Sequence, residues 1–466
     1  MQWIEWRKLG WVLLVSLPLA SCGGGSDGSG ASSNSTTATS GVITGFGSVF
    51  INGVEYETTN TSISTDDNAG ATESELEVGM VVTIDGTVND DGVTGEATSI
   101  HYEEQLKGPL VGTVDIANRT FTVLGQTIIY DDLTSIGSLD LSTLVNGDFL
   151  EISGFTRADN TLYATRIEKE TGSVSTYKVQ GNIRSLNNGA QTFVLGGLII
   201  NYSSASFVQT SASALVNGMA VRVKGDAANF NSGTSTFTVN QVKSKEESYE
   251  DGERGSLEGY ITAFTSVSDF EVNGVAVTTT SSTRYDDGSA AGLALNVRVK
   301  VFGSFNSDGE LVASKIKLHN ASKVGLEANV TAIDIGASSV SVLGVEFVIT
   351  NQTKMEDDSS DNERFFDIND VSVGDFVKVK GFESSSGDYV AALFERKNDD
   401  NDNPEIKGKV TAVSGSSISL LGLTLTVDGS TTYSGGISAI GDISVGDTLE
   451  IEATDALLAV SVELDD

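Results

Sequence analysis

The sequence predicts an all-β chain assembled from one small module repeated six times. Three observations carry that expectation. Apolar and polar residues alternate with period two in short runs, as in Phe270-Glu271-Val272 and Val377-Lys378-Val379-Lys380, the pattern of strands buried on one face. Asn52-Gly53 and Asn273-Gly274, each between two apolar runs, are strong signals for two-residue hairpins. From Gly41 onward the same blocks return in the same order, one set per roughly 60–79 residues.

Taken in order, the chain opens with a segment outside the repeats. Arg7 and Lys8 precede an apolar stretch over residues 9–20, shorter than the ~20 residues a helix needs to cross a bilayer. The stretch runs into Leu19-Ala20-Ser21-Cys22. An aliphatic residue, two small residues and a cysteine in this position resemble the lipobox of bacterial lipoproteins. The resemblance implies a lipoprotein signal peptide over 1–21, cleavage before Cys22 and diacylglycerol on its sulfur, with the membrane as partner through that lipid. In that family an aspartate just after the cysteine often retains the protein at the inner membrane. Gly23 and Gly24 stand here instead, which favours the outer membrane, on its periplasmic or its surface face. Cys22 is the only cysteine, so an internal disulfide framework and a thiolate zinc site are excluded. Residues 22–40 are rich in Gly, Ser and Thr and cannot bury a core; they read as a disordered tether spanning roughly 23 Å on average.

Six modules are expected next, at 41–106, 107–172, 177–248, 253–321, 322–400 and 404–466. Most open with a G-x-V/I block, such as G-V-I-T-G-F at 41–46 and K-G-K-V-T-A-V at 407–413. Strands two and three flank the pairs Asn52-Gly53, Leu124-Gly125, Leu195-Gly196, Asn273-Gly274, Leu343-Gly344 and Leu421-Gly422, where glycine can supply positive φ. A second shared block carries strand four: E-V-G-M-V-V-T-I-D-G at 77–86, V-N-G-D-F-L-E-I-S-G at 145–154 and S-V-G-D-F-V-K-V-K-G at 372–381 are examples. A fifth strand closes most units, as E-A-T-S-I-H-Y does at 96–102. No long amphipathic helical pattern appears, only a turn of helix around 289–295. Five short strands avoid exposed edges most easily by curling into an OB-like barrel. Charged joins and Pro109 and Pro404 mark the boundaries, where a missing N–H costs no ladder bond. A barrel of this size buries only about 60 % of its unfolded surface and is marginal alone, so modules packed into a semi-rigid rod are expected.

These blocks resemble an uncharacterised family of small β-barrel repeats, a domain of unknown function that recurs in tandem in exported bacterial lipoproteins. The matching features are the G-x-V/I opening, F-x-V-N/L-G, V-G-D-x-V-x-V-x-G and A-x-x-I. The resemblance covers nearly all of 41–466. It departs at Leu295-Asn296-Val297, which replaces the Val-Gly-Asp turn, and in the last module, which lacks an Asp-Gly hairpin. It implies a fold and a compartment but no reaction.

The chemistry on offer is thin. The chain carries 64 acidic against 28 basic residues, net −36, which argues against nucleic acid as a partner. His101 and His319 are the only histidines, and both read as solvent-facing residues at the ends of fifth strands. No catalytic residue is nominated, no cofactor beyond the lipid on Cys22 is implied, and the chain is not expected to be an enzyme. Acidic pairs follow strand three in four modules: Asp66-Asp67, Asp131-Asp132, Asp286-Asp287 and Asp357-Asp358. They read first as solvated turns, and alternatively as weak Ca²⁺ sites built with loop carbonyls. The expected role is a non-catalytic, lipid-anchored envelope protein acting as spacer, scaffold or adhesion surface for an envelope protein or polysaccharide. The alternative is a module binding divalent cations, cationic ligands or glycans through the acidic turns.

Overall fold

In the computed structural model, residues 36–466 are described except 173, 246–248, 385, 399–402 and 466. The expected signal peptide, Leu19, Ala20, Ser21 and Cys22, most of the tether and the acidic centre of the 397–403 join lie outside the described residues.

Period-two alternation becomes strand throughout, and helix among the described residues is limited to three-residue 3-10 turns. One of these, Ala290–Gly292, falls where the sequence suggests a helical turn. In module one, Thr36–Gly45 pairs antiparallel with Val49–Ile51, which pairs antiparallel with Val54–Glu57. That third strand runs parallel to the fifth, Thr94–Tyr102, and the fifth runs antiparallel to the fourth, Val81–Val88. The fourth closes on the first, with Val82 opposite Gly41 and Ile84 opposite Thr39. The ring order 1-2-3-5-4-1 is that of a small OB-like barrel. Val49, Ile51, Tyr56 and Ile84 fill it. The same ring recurs in the other modules; in module three the first and fifth strands break at Ile183 and Val239, dividing it between two sheets.

The recurrent glycines answer to contacts. At the end of the fourth-strand block, Gly86, Gly154, Gly303 and Gly381 each sit at a register shift. A Cβ on any of them would come within 2.0–2.2 Å of a carbonyl on the fifth strand. The hairpin pairs Asn52-Gly53, Leu124-Gly125, Asn273-Gly274, Leu343-Gly344 and Leu421-Gly422 have positive φ at both residues, the two-residue turn that suits twisted strands. Module three differs from the sequence expectation: Leu195 ends a strand and faces the core, so the turn is Gly196-Gly197 rather than Leu195-Gly196. The tether also ends sooner than residue 40. Thr36–Ser40 is strand, held between the fourth strand of its own barrel and module four.

The modules do not form a linear rod. In each barrel the long first strand meets strand two only along its later half, leaving the outer edge of its earlier half free. A free edge invites pairing, and another module supplies it. Modules two and three join antiparallel, Leu106 opposite Val179. Modules five and six do the same, Leu326 opposite Ile406. Module one joins module four, its partner three units away, in parallel from Thr37↔Arg254 to Ser40↔Leu257. The apolar cores of two and three merge, as do those of five and six. Module two touches all five others. Ser153 Oγ accepts from Val81 N at 2.7 Å, Ser135 Oγ meets Lys354 Nζ at 2.8 Å, and Asp132 lies 3.7 Å from Lys407 Nζ. Tyr163 packs on Tyr260 of module four with centroids 5.7 Å apart.

Candidate functional site

The acidic turns lie against cations of the chain itself. Asp66 pairs with Arg222 and Asp67 with Lys178 at 2.8 Å and Lys224 at 3.4 Å, all three cations belonging to module three. Asp131 accepts from Tyr163 Oη at 2.8 Å. Asp132 lies 2.9 Å from Arg119 and faces Lys407 of module six. Asp286 pairs with Arg284 at 2.9 Å and Asp287 with Lys317 at 3.3 Å. Asp357 takes both Nε and Nη2 of Arg396, whose pairing outweighs burial and holds the carboxyl well below its usual range. Asp358 is pushed upward by burial and by Glu356. A cation entering any of these turns would compete with a partner already in place on at least one of its two carboxylates.

Asp66, His101 and Glu103 bring ligand-type atoms within 4.8 Å of one another. His101 Nδ1 meets Ser64 Oγ at 2.8 Å and its Nε2 lies 3.2 Å from Glu103. Lys243 and Lys245 bind that same Glu103, and Arg222 and Lys178 bind Asp66. Four cations therefore occupy the negative charge a metal would need. Although burial opposes it, His101 and the two lysines hold Glu103 well below its ordinary range. The cluster is an ion-pair seam between modules one and three.

A concavity of about 100 Å³ lies where modules one, two, four and five meet. Its wall carries Arg298, Lys300, Lys317 and Lys354 against only two carboxylates, Glu258 and Asp287. Alternation explains the placement of the first two. Val299 and Val301 fill the barrel of module four, so Arg298 and Lys300 point outward, and the packing of four barrels turns that outside into a shared interior. Glu258 is 2 % exposed and accepts from Arg298 Nη2 at 2.7 Å and from Val42 N at 3.2 Å, with Lys300 Nζ 3.7 Å away. Against the upward push of burial, Lys300, Arg298 and the Val42 amide hold Glu258 down to about 2. Burial pushes Lys300 and Lys354 below the ordinary lysine value.

His319 follows the fifth strand of module four and is exposed, as expected, among the residues that line the cavity. The surrounding protein, with Arg298 nearby, shifts its imidazole downward to about 3. Sequence reasoning passed over Arg298, Lys300, Lys317 and Lys354, because an outward-facing basic residue on a strand looks the same whether water or another barrel covers it.

A domain of unknown function, DUF5666, matches the chain six times, over residues 38–101, 111–168, 180–234, 258–317, 327–393 and 407–463. No curated protein matches it. The six matched segments coincide with the six five-stranded rings, each running from the first strand into the fourth or fifth. By repeat, by fold and by sequence, the chain belongs to the DUF5666 family, in six tandem copies.

Proposed function

We propose that this chain is a non-catalytic, lipid-anchored protein of the bacterial outer membrane whose six barrels act together as one scaffold or interaction body. The observation that supports this reading is the fusion of the barrels. Sheets run across three module pairs, and buried ion pairs join modules distant in sequence, as Lys178 does with Glu104 and Arg222 with Asp66. Buried pairs of this kind contribute less to net stability than to fixing one arrangement over others. A spacer needs only reach, whereas fixed relative positions suit a protein that presents a surface. The acidic excess gives salt-sensitive attraction to basic partners in the envelope. The export segment ending at Cys22 supplies the anchor.

Fatty-acid labelling of bacteria producing the full chain, followed by cross-linking of the envelope fraction, tests the reading. Label on the wild-type chain, none on Cys22→Ala, and a discrete adduct with an envelope protein or polysaccharide that depends on the anchor are the expected outcome. An unlabelled wild-type chain contradicts the anchor, and the absence of any adduct contradicts the interaction role.

A further inference from the structure

The cavity between modules one, two, four and five has features that the scaffold role does not use. Arg298 and Lys300 share one carboxylate, Glu258, so one of the two cations has no counter-charge of its own. Lys317 is matched by Asp287 at 3.3 Å. Lys354 faces Glu356 at 3.8 Å, outside the cavity wall, and donates to Ser135 Oγ and Leu133 O. Two buried polar atoms of residues that line the cavity have no partner among the described residues: Arg298 Nε and Thr165 Oγ1. Thr165 is 3 % exposed, and a buried hydroxyl left unpaired is destabilising. Buried native polar groups are overwhelmingly paired, so an unpaired hydroxyl and an unmatched cation at one cavity call for a common acceptor.

We propose that this cavity binds a small oxyanion of the phosphate or sulfate type, which ties together the four barrels that wall it. A ligand rich in acceptor oxygens offers partners to the Arg298 and Thr165 donors and supplies the missing counter-charge to Lys300. The volume of about 100 Å³ has room for several water-sized groups, which accommodates a tetrahedral oxyanion. The strongly acidic exterior does not forbid it. Repulsion from exposed charges is screened within ~8 Å at physiological salt, while the buried cations act at contact distance. The site stands apart from the scaffold reading, because an unlipidated chain without an envelope partner can still bind the ion.

The test is calorimetric titration of the full purified chain with inorganic phosphate and with sulfate at fixed ionic strength, with chloride as control. One saturable site per chain is expected, together with a rise in melting temperature that chloride does not produce. Lys300→Gln and Thr165→Val are each expected to weaken binding tenfold or more. Thr165 Oγ1 has no hydrogen-bond partner among the described residues, so Thr165→Val leaves the fold intact and keeps the test valid if Lys300→Gln misfolds. Glucose 1-phosphate forms a second arm and is expected to bind much more weakly than phosphate. Absence of saturable binding, or equal binding in wild type and Thr165→Val, overturns the site. Glucose 1-phosphate binding as tightly as phosphate overturns the free ion in favour of a headgroup or glycan phosphate.

Discussion

Gly259 has no room for a methyl group: a Cβ there would stand 2.0 Å from Asn273 Nδ2. Gly41 faces Asn52 in the same way at 2.5 Å, and Gly108 and Gly408 face Leu124 and Leu421 at 2.9 Å. The opening glycine and the first turn residue of the repeat are thus one device, in which the missing side chain of the first strand seats the side chain of the turn. In modules one and four the seated residue is an asparagine that donates from Nδ2 to the carbonyl of the residue before the glycine, at 3.0 Å to Ser40 and 2.8 Å to Glu258. Gly259→Ala should lower stability by about 1–3 kcal/mol through overpacking and loss of that bond. Thermal unfolding checks this, and an unchanged melting temperature contradicts it. Module five carries Ala328 at the equivalent place, and there Leu343 has moved to a half-buried position. Both sequence blocks were plain in the chain. Their mutual fit was not, because it depends on the register between a strand and a turn about a dozen residues away.

At the scale of the strand, the seams between modules gather carboxylates that the fold keeps from ionising freely. Glu151, on Phe149–Thr156, receives Lys107 Nζ at 2.7 Å and Tyr102 Oη at 3.0 Å. Burial, then the charge of Glu104, push it up to about 7 against the pull of Lys107. Glu395, on Tyr389–Lys397, is likewise pushed up to about 7, by burial and by Glu356 and Asp358, against Lys378 and Lys397. Both sit above their unfolded value of 4.5, so the folded chain holds protons that the unfolded chain releases. Their stability is fully present below about pH 4.5 and is lost as pH rises through about 7. Glu258, held down to about 2, acts in the opposite sense: its contribution is present above about pH 4.5 and is lost as pH falls toward 2. The melting temperature should therefore peak near pH 5 and fall toward pH 8, each raised group contributing at most about 3 kcal/mol. Glu151→Gln should flatten part of that fall; an unchanged slope in the variant contradicts the assignment. The strands themselves were legible, since alternation and Gly punctuation are local signals. Which free edge meets which module was not, because edge pairing is settled by long-range packing that local pattern does not encode.

For the whole molecule, six copies of one ring were readable from repetition alone, while their arrangement was not. The linear rod was the natural expectation for units strung in tandem, and it fails because each first strand leaves half an edge open and each small barrel gains by burying its outer face. The scarce basic residues are spent on this packing. Lys178, Arg222, Arg298, Lys354 and Lys407 are all nearly buried, each between modules, Arg298 over the rings of Phe155 and Tyr163 of module two, although a chain with so few cations gives no sequence sign that they face inward. The central claim is that the six barrels are one body around module two. Small-angle X-ray scattering of the purified chain tests it most directly. A single packed body of this length predicts a radius of gyration of roughly 22–25 Å, tether included; a value above roughly 40 Å, as six such barrels in line would give, contradicts it.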